Sequence, residues 1–168
     1  MVIRLCGYLG VGKGFVWLFV VAFIWRNQVQ NIITFVHLNM EDILNTADLN
    51  LLVDKFYQKL LSDISISYIF TDVVKIKLEE HLPILVTFWS QAIFNTGGYF
   101  NNLTQIHLDI SEKEYLTPEL FAIWIAHFNA SVDENFIGIN SEKIKTQALS
   151  LATIMQIKIN LSNKSLDN

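Results

Sequence analysis

From Ile43 onward apolar side chains recur three and four residues apart, the spacing that gathers them on one face of a helix, and strand-like alternation is rare. The pattern predicts an all-α domain. Leu49, Leu52, Val53, Phe56 and Leu60 share one face of a helix over about 47–63. Thr46 or Asp48 suits its N-cap, because a short side-chain oxygen can accept the first unpaired backbone N–H groups. After a turn rich in Ser and Asp, a second helix over about 74–95 sets His81, Leu85, Phe88 and Ala92 on one face, with Trp89 beside them. Pro83 predicts a kink or a helix start inside that run, and Gly97-Gly98 predicts its stop. Thr117-Pro118 opens a third helix through Leu120, Phe121, Trp124, Ile125 and Phe128, with Thr as N-cap and Pro in the first turn. A fourth runs over about 141–159, entered through Asn140 or Ser141, and the Asn- and Ser-rich residues 160–168 are expected to fray. Between the second and third helices the chain reads as irregular, with one short segment from Leu103 to Leu108.

Charge divides the chain in two. Residues 1–39 hold Arg4, Lys13 and Arg26 and no acid, whereas residues 40–168 hold nine Lys, no Arg and all 16 Asp and Glu. The expected division is an apolar, basic N-terminal extension over 1–39 and a folded domain over 40–168. The net charge of −4 offers no clustered basic footprint, so nucleic acid is not the expected partner. Cys6 is the only cysteine, which excludes an intramolecular disulfide framework and suits a reducing compartment.

Gly14 to Trp25 is an apolar run of 12 residues, shorter than the roughly 20 that cross a membrane. Three readings of the extension stay open: a translated upstream stretch outside the domain, with Met40 as the start; a membrane-associating segment; or a signal sequence, although no small-x-small cleavage site follows. The octapeptide GYLGVGKG, Gly7 to Gly14, fits a phosphate-binding loop except that Gly14 stands where Ser or Thr would hold magnesium. No alternating strand and helix pattern follows to carry such a loop, so it reads as coincidence.

His81 and His107 fall among apolar residues of the helical region. Zinc ordinarily needs three or four protein ligands, and no His-x-x-x-His or Glu-x-x-His pair presents a metal face. Haem needs one protein ligand, an apolar slot and a few polar groups opposite. This composition can supply that set.

Four stretches carry a family resemblance: FYQKLLSDISISYIF (Phe56 to Phe70), LEEHLPILVTFW (Leu78 to Trp89), TGGYFNNLTQIHLDI (Thr96 to Ile110) and FAIWIAHF (Phe121 to Phe128). In this order they resemble the group III truncated haemoglobins, bacterial globins with a two-on-two helical sandwich around a haem. The resemblance implies haem b, iron protoporphyrin IX, as cofactor and His107 as the ligand to its iron. It implies Tyr57, His81 and Trp124 on the distal, gas-binding face, with His81 as a gate, Trp124 closing the pocket and Phe70 wedged against the porphyrin. Leu85, one turn after His81, would add an apolar wall, with Phe88 and Tyr99 at the cofactor. On residue type alone, Tyr57 and Trp124 also suit ordinary core anchors with one polar partner. The sequence departs from the family at Leu78, where a Trp is usual, and in a longer connection between His107 and Trp124. With no Arg in the domain, Tyr99 and Lys113 are the candidate partners of the haem propionates.

The function so implied is binding of O2, NO and CO. A phenol O–H and an indole N–H stabilise a ligand that gathers negative charge, each bond contributing roughly 1.5–3 kcal/mol. Slow ligand release favours redox chemistry on O2, NO or peroxide, of the NO dioxygenase or peroxidase kind, with a reductase partner, over oxygen transport. The alternative is non-catalytic gas storage or sensing, with membrane contact through residues 1–39. A cofactor-free helical interaction module is the third reading. The resemblance implies the bacterial cytoplasm.

Overall fold

The computed structural model describes residues 40–166, together with Trp25, Arg26, Gln28 and Val29. The GYLGVGKG motif, Cys6, His37 and all of the apolar run but Trp25 lie outside the described residues. Contacts divide the chain into two compact units, Met1–Met40 and Glu41–Asn168, and the second carries everything below. Among the described residues no helix is long and apolar enough to cross a membrane.

Five α-helices and one π-helical turn follow one another, with no strand among the described residues: α1 (Thr46–Ser62), the π turn (Ile69–Val73), α2 (Leu78–Phe94), α3 (Leu103–Ser111), α4 (Pro118–Asp133) and α5 (Ile139–Leu166). The pairs α1/α2 and α4/α5 pack on each other through α1 against α4 and α2 against α5, while α3 lies on α5. This is the all-α, two-on-two arrangement of a truncated globin. Phe128 is fully buried at its centre. It meets Phe56 edge-on at 5.1 Å, Trp89 at 4.9 Å and, stacked, Trp124 at 5.4 Å. A second apolar cluster, Phe121, Ala152, Met155 and Ile159 with Leu103 and Leu108 against it, seats α3 on α4 and α5.

Several helix ends differ from the sequence expectations, each for a local reason. The cap of α1 is Asn45, not Thr46 or Asp48: its side chain accepts from the N–H groups of Ala47 and Asp48, and Asp48 answers by accepting from the Asn45 N–H at 3.1 Å. The second helix starts at Leu78 rather than Val74, because Lys75 takes a left-handed backbone (φ 54°) just after the π turn. Pro83 therefore lies inside α2, past its start, and forfeits one backbone donor there. The stop of α2 is Asn95, left-handed at φ 58°, two residues before the Gly97-Gly98 turn. The stretch expected to be irregular contains a regular nine-residue helix, α3, capped by Asn102 through Gln105 N–H. Thr117 caps α4 as expected, accepting from Leu120 N–H at 3.3 Å.

The last helix is longer than expected at both ends, continuing to Leu166, into the stretch expected to fray. Its start is capped from 98 residues away: Asp42 accepts from the N–H of Asn140 at 2.9 Å and from the N–H and hydroxyl of Ser141, each at 2.8 Å. Gly138 makes room for this, since a Cβ there would collide with the Asp42 side chain.

Candidate functional site

A cavity of about 290 Å³ opens between the helices. Every helix contributes to its wall, as does the π turn: Tyr57 from α1, Phe70 from the π turn, His81, Leu85 and Phe88 from α2, His107 from α3, Trp124 from α4 and Met155 from α5, with Tyr99 and Asn101 from the loop between α2 and α3. The wall is otherwise apolar and carries no Asp, Glu, Lys or Arg. The eight residues singled out in the sequence as Tyr57, Phe70, His81, Leu85, Phe88, Tyr99, His107 and Trp124 thus share one cavity. Lys113 does not line it and is exposed just beyond α3. Pairing of a propionate with Lys113 has no support in this wall.

At one side the Tyr57 hydroxyl and His81 Nε2 are 2.7 Å apart. Tyr57 is only 4% exposed, and burial raises its phenol far above the ordinary range. Burial likewise lowers the His81 imidazole, holding it neutral. A protonated phenol beside a neutral ring makes one hydrogen bond with it, Tyr57 O–H donating where Nε2 carries no proton and accepting where it does. The Tyr57 hydroxyl is thus inside, on His81. Rings continue from the pair, with Phe70 at 5.7 Å from Tyr57 and Phe56 linking Tyr57 at 5.5 Å to Trp124 at 5.2 Å.

His107 lies on α3, with its Nδ1 at 2.9 Å from the Leu103 carbonyl one turn earlier. A carbonyl only accepts, so Nδ1 carries the proton and Nε2 keeps its lone pair. Burial lowers the His107 pKa against the opposing pull of the Leu103 bond. A neutral imidazole oriented through its other nitrogen, in an apolar wall, is what a histidine metal ligand requires. Among the described residues no group of three or more His, Cys, Asp or Glu gathers to hold a bare metal ion. The donor set therefore fits a cofactor whose own ring supplies the remaining ligands, such as haem. At the loop, Tyr99 packs on Phe88 at 5.0 Å and its N–H bonds to Gln91.

Two contributions to the cavity were missed in the sequence. Asn101 and Met155 line the cavity, and nothing in their local pattern marks them. Outside the cavity wall, the partly exposed His127 of α4 pairs with Asp63 at 2.7 Å. Ser65 first and His127 second hold the Asp63 carboxyl down at about 2.

No family model and no curated protein matches this sequence. Among solved structures, the chain is similar to the crystal structure of group III truncated hemoglobin from Campylobacter jejuni, with a TM-score of 0.65 and 22% identity over 71% of this chain and 94% of that one. The fold is that of a truncated haemoglobin.

Proposed function

We propose that this chain is a haem protein that binds O2, NO and CO, with His107 as the protein ligand to iron. The observation that carries this reading is the His107 tautomer: the Nδ1–H bond to Leu103 leaves the Nε2 lone pair on a ring of an apolar cavity wall. The truncated-globin fold supports it. Haem, when bound, would supply an iron that accepts a histidine nitrogen and a diatomic gas and that exchanges electrons.

The chain's own residues then divide the work. His107 holds the cofactor and is oriented by Leu103. Tyr57, His81 and Trp124 form the polar distal face, with Phe70 and Leu85 as its apolar wall and Phe88 and Tyr99 beside the cofactor. Tyr57 O–H and Trp124 N–H are donors toward a ligand that gathers negative charge, and the dry wall strengthens such bonds. The apolar lining excludes bulk water. Tight distal hydrogen bonding slows ligand release, which suits redox chemistry on O2, NO or peroxide with a reductase partner better than storage. The cofactor is haem b, and with no cation in the cavity wall, Tyr99 and Asn101 of the loop are the groups that would meet its propionates.

The test is the absorption spectrum of the purified full chain with haem, ferrous and CO-bound, beside a His107→Ala variant. A Soret band present in the parent and lost or displaced in the variant is expected. Its absence from the parent would overturn the haem reading. Measured O2 and CO dissociation rates then separate turnover from storage.

A further inference from the structure

Asp63 and His127 stand outside the cavity wall, yet the segments that carry three of its distal side chains meet at this pair. Asp63 caps the C-terminal end of α1, which carries Tyr57. Its backbone carbonyl accepts from Ile66 and Ser67, starting the turn that leads to Phe70. One carboxylate oxygen accepts from the N–H and hydroxyl of Ser65, and the other meets His127 Nε2 at 2.7 Å. His127 follows Trp124 by three residues on α4, on the same face of that helix.

One hydrogen-bonded pair thus ties α1 to α4 between the two helices that hold the phenol and the indole. Its charge-assisted geometry is shorter than a neutral N–H···O bond, and both side chains are largely covered, 25% and 29% exposed. A second tie, Lys59 to Glu134 at 2.7 Å, joins the same antiparallel helices with Glu134 57% exposed. It lies one turn earlier on α1 and seven residues beyond His127, at the C-cap of α4 and away from Trp124.

We propose that the Asp63–His127 pair is a positioning device that fixes the spacing of Tyr57 and Trp124 across the cavity, and with it the donor geometry offered to a gas ligand. The proposal rests on the haem reading above. A pair that served stability alone would lower the unfolding midpoint when cut and leave the donors where they are. A pair that sets spacing moves them.

The experiment uses the full chain with haem and CO, as parent and as His127→Leu, His127→Gln and Lys59→Met variants. It reads the C–O stretching band, which reports the donors around CO, and the indole ¹⁵N–¹H resonance of Trp124. The band is expected to shift in His127→Leu, to return toward the parent position in His127→Gln, which can still donate to Asp63, and to stay in place in Lys59→Met. O2 dissociation is expected to quicken several-fold in His127→Leu. A folded, haem-loaded His127→Leu with an unmoved band and resonance would overturn the proposal. Should that variant fail to fold, Asp63→Asn cuts the charge with little change of shape and is read in the same way. A parent with no haem band would sink the haem reading alone, and the indole resonance of the haem-free chain, shifted or unshifted by the substitution, would then decide the brace.

Discussion

The Tyr57 hydroxyl lies 2.7 Å from Nε2 of His81, 24 residues later in the chain, and this bond joins α1 to α2 inside the cavity. It satisfies a buried phenol that would otherwise be a costly orphan donor. In the tautomer with Nε2 unprotonated, a gas ligand that draws on the phenol competes with His81 for its proton.

Tyr57→Phe removes that donor and leaves the ring in place. Loss of a bond worth roughly 1.5–3 kcal/mol toward a charged acceptor corresponds to a roughly ten- to hundredfold faster O2 dissociation. Stopped-flow displacement by CO measures it. An unchanged rate would mean that Tyr57 serves His81 and not the ligand.

Acid sensitivity follows from the two cavity histidines. Burial lowers His81, and burial lowers His107 by more than its Leu103 bond raises it. The unfolded chain takes up these protons near pH 6.5 while the folded chain resists them, so the unfolded state binds more protons below that pH. Stability of the haem-free protein is therefore expected to be level above about pH 6.5 and to fall as the pH drops below it. Urea midpoints at pH 7.5 and 5.5 check this, and His81→Leu or His107→Leu should flatten the difference. Asp63 stays out of that window, since its carboxyl titrates at about 2.

Asp42 caps α5 from the far end of the domain. Burial pushes its carboxyl up, but the bonds from Asn140, Ser141 and Ile43 outweigh that and hold it below the ordinary value. Asp42→Ala is expected to cost about 1–2 kcal/mol, the upper range for a lost N-cap, measured by urea unfolding. Gly138→Ala should destabilise as well, because its Cβ would displace the same carboxylate.

Phe128 touches Phe56, Trp89 and Trp124 at once and has no exposed surface. Phe128→Ala should cost about 3–5 kcal/mol through lost burial and the void left behind. Thermal unfolding followed by circular dichroism checks it. A loss below about 1 kcal/mol would mean that the cluster closes over the gap.

Local chemistry made much of this molecule legible in advance. Apolar spacing marked α1, α2, α4 and most of α5, and Thr117-Pro118 marked a start, because caps and periodicity act within one or two turns of the chain. The four stretches resembling truncated globins named residues that do share one cavity. Apart from the Asn45 cap and the short helix α3, what escaped was non-local or depended on a single backbone angle. Lys75 adopts a left-handed conformation that no neighbouring residue type announces, and it moved the start of α2.

By itself, then, the sequence determined an all-helical domain, its helix faces and a short set of cavity residues. Only the tertiary structure decided that Asp42 caps a helix 98 residues away, that Tyr57 bonds to His81, and that Asp63 meets His127. The physical reason is that periodicity and capping are written over a few residues of chain. A hydrogen bond between distant residues exists only after packing has brought their helices into contact.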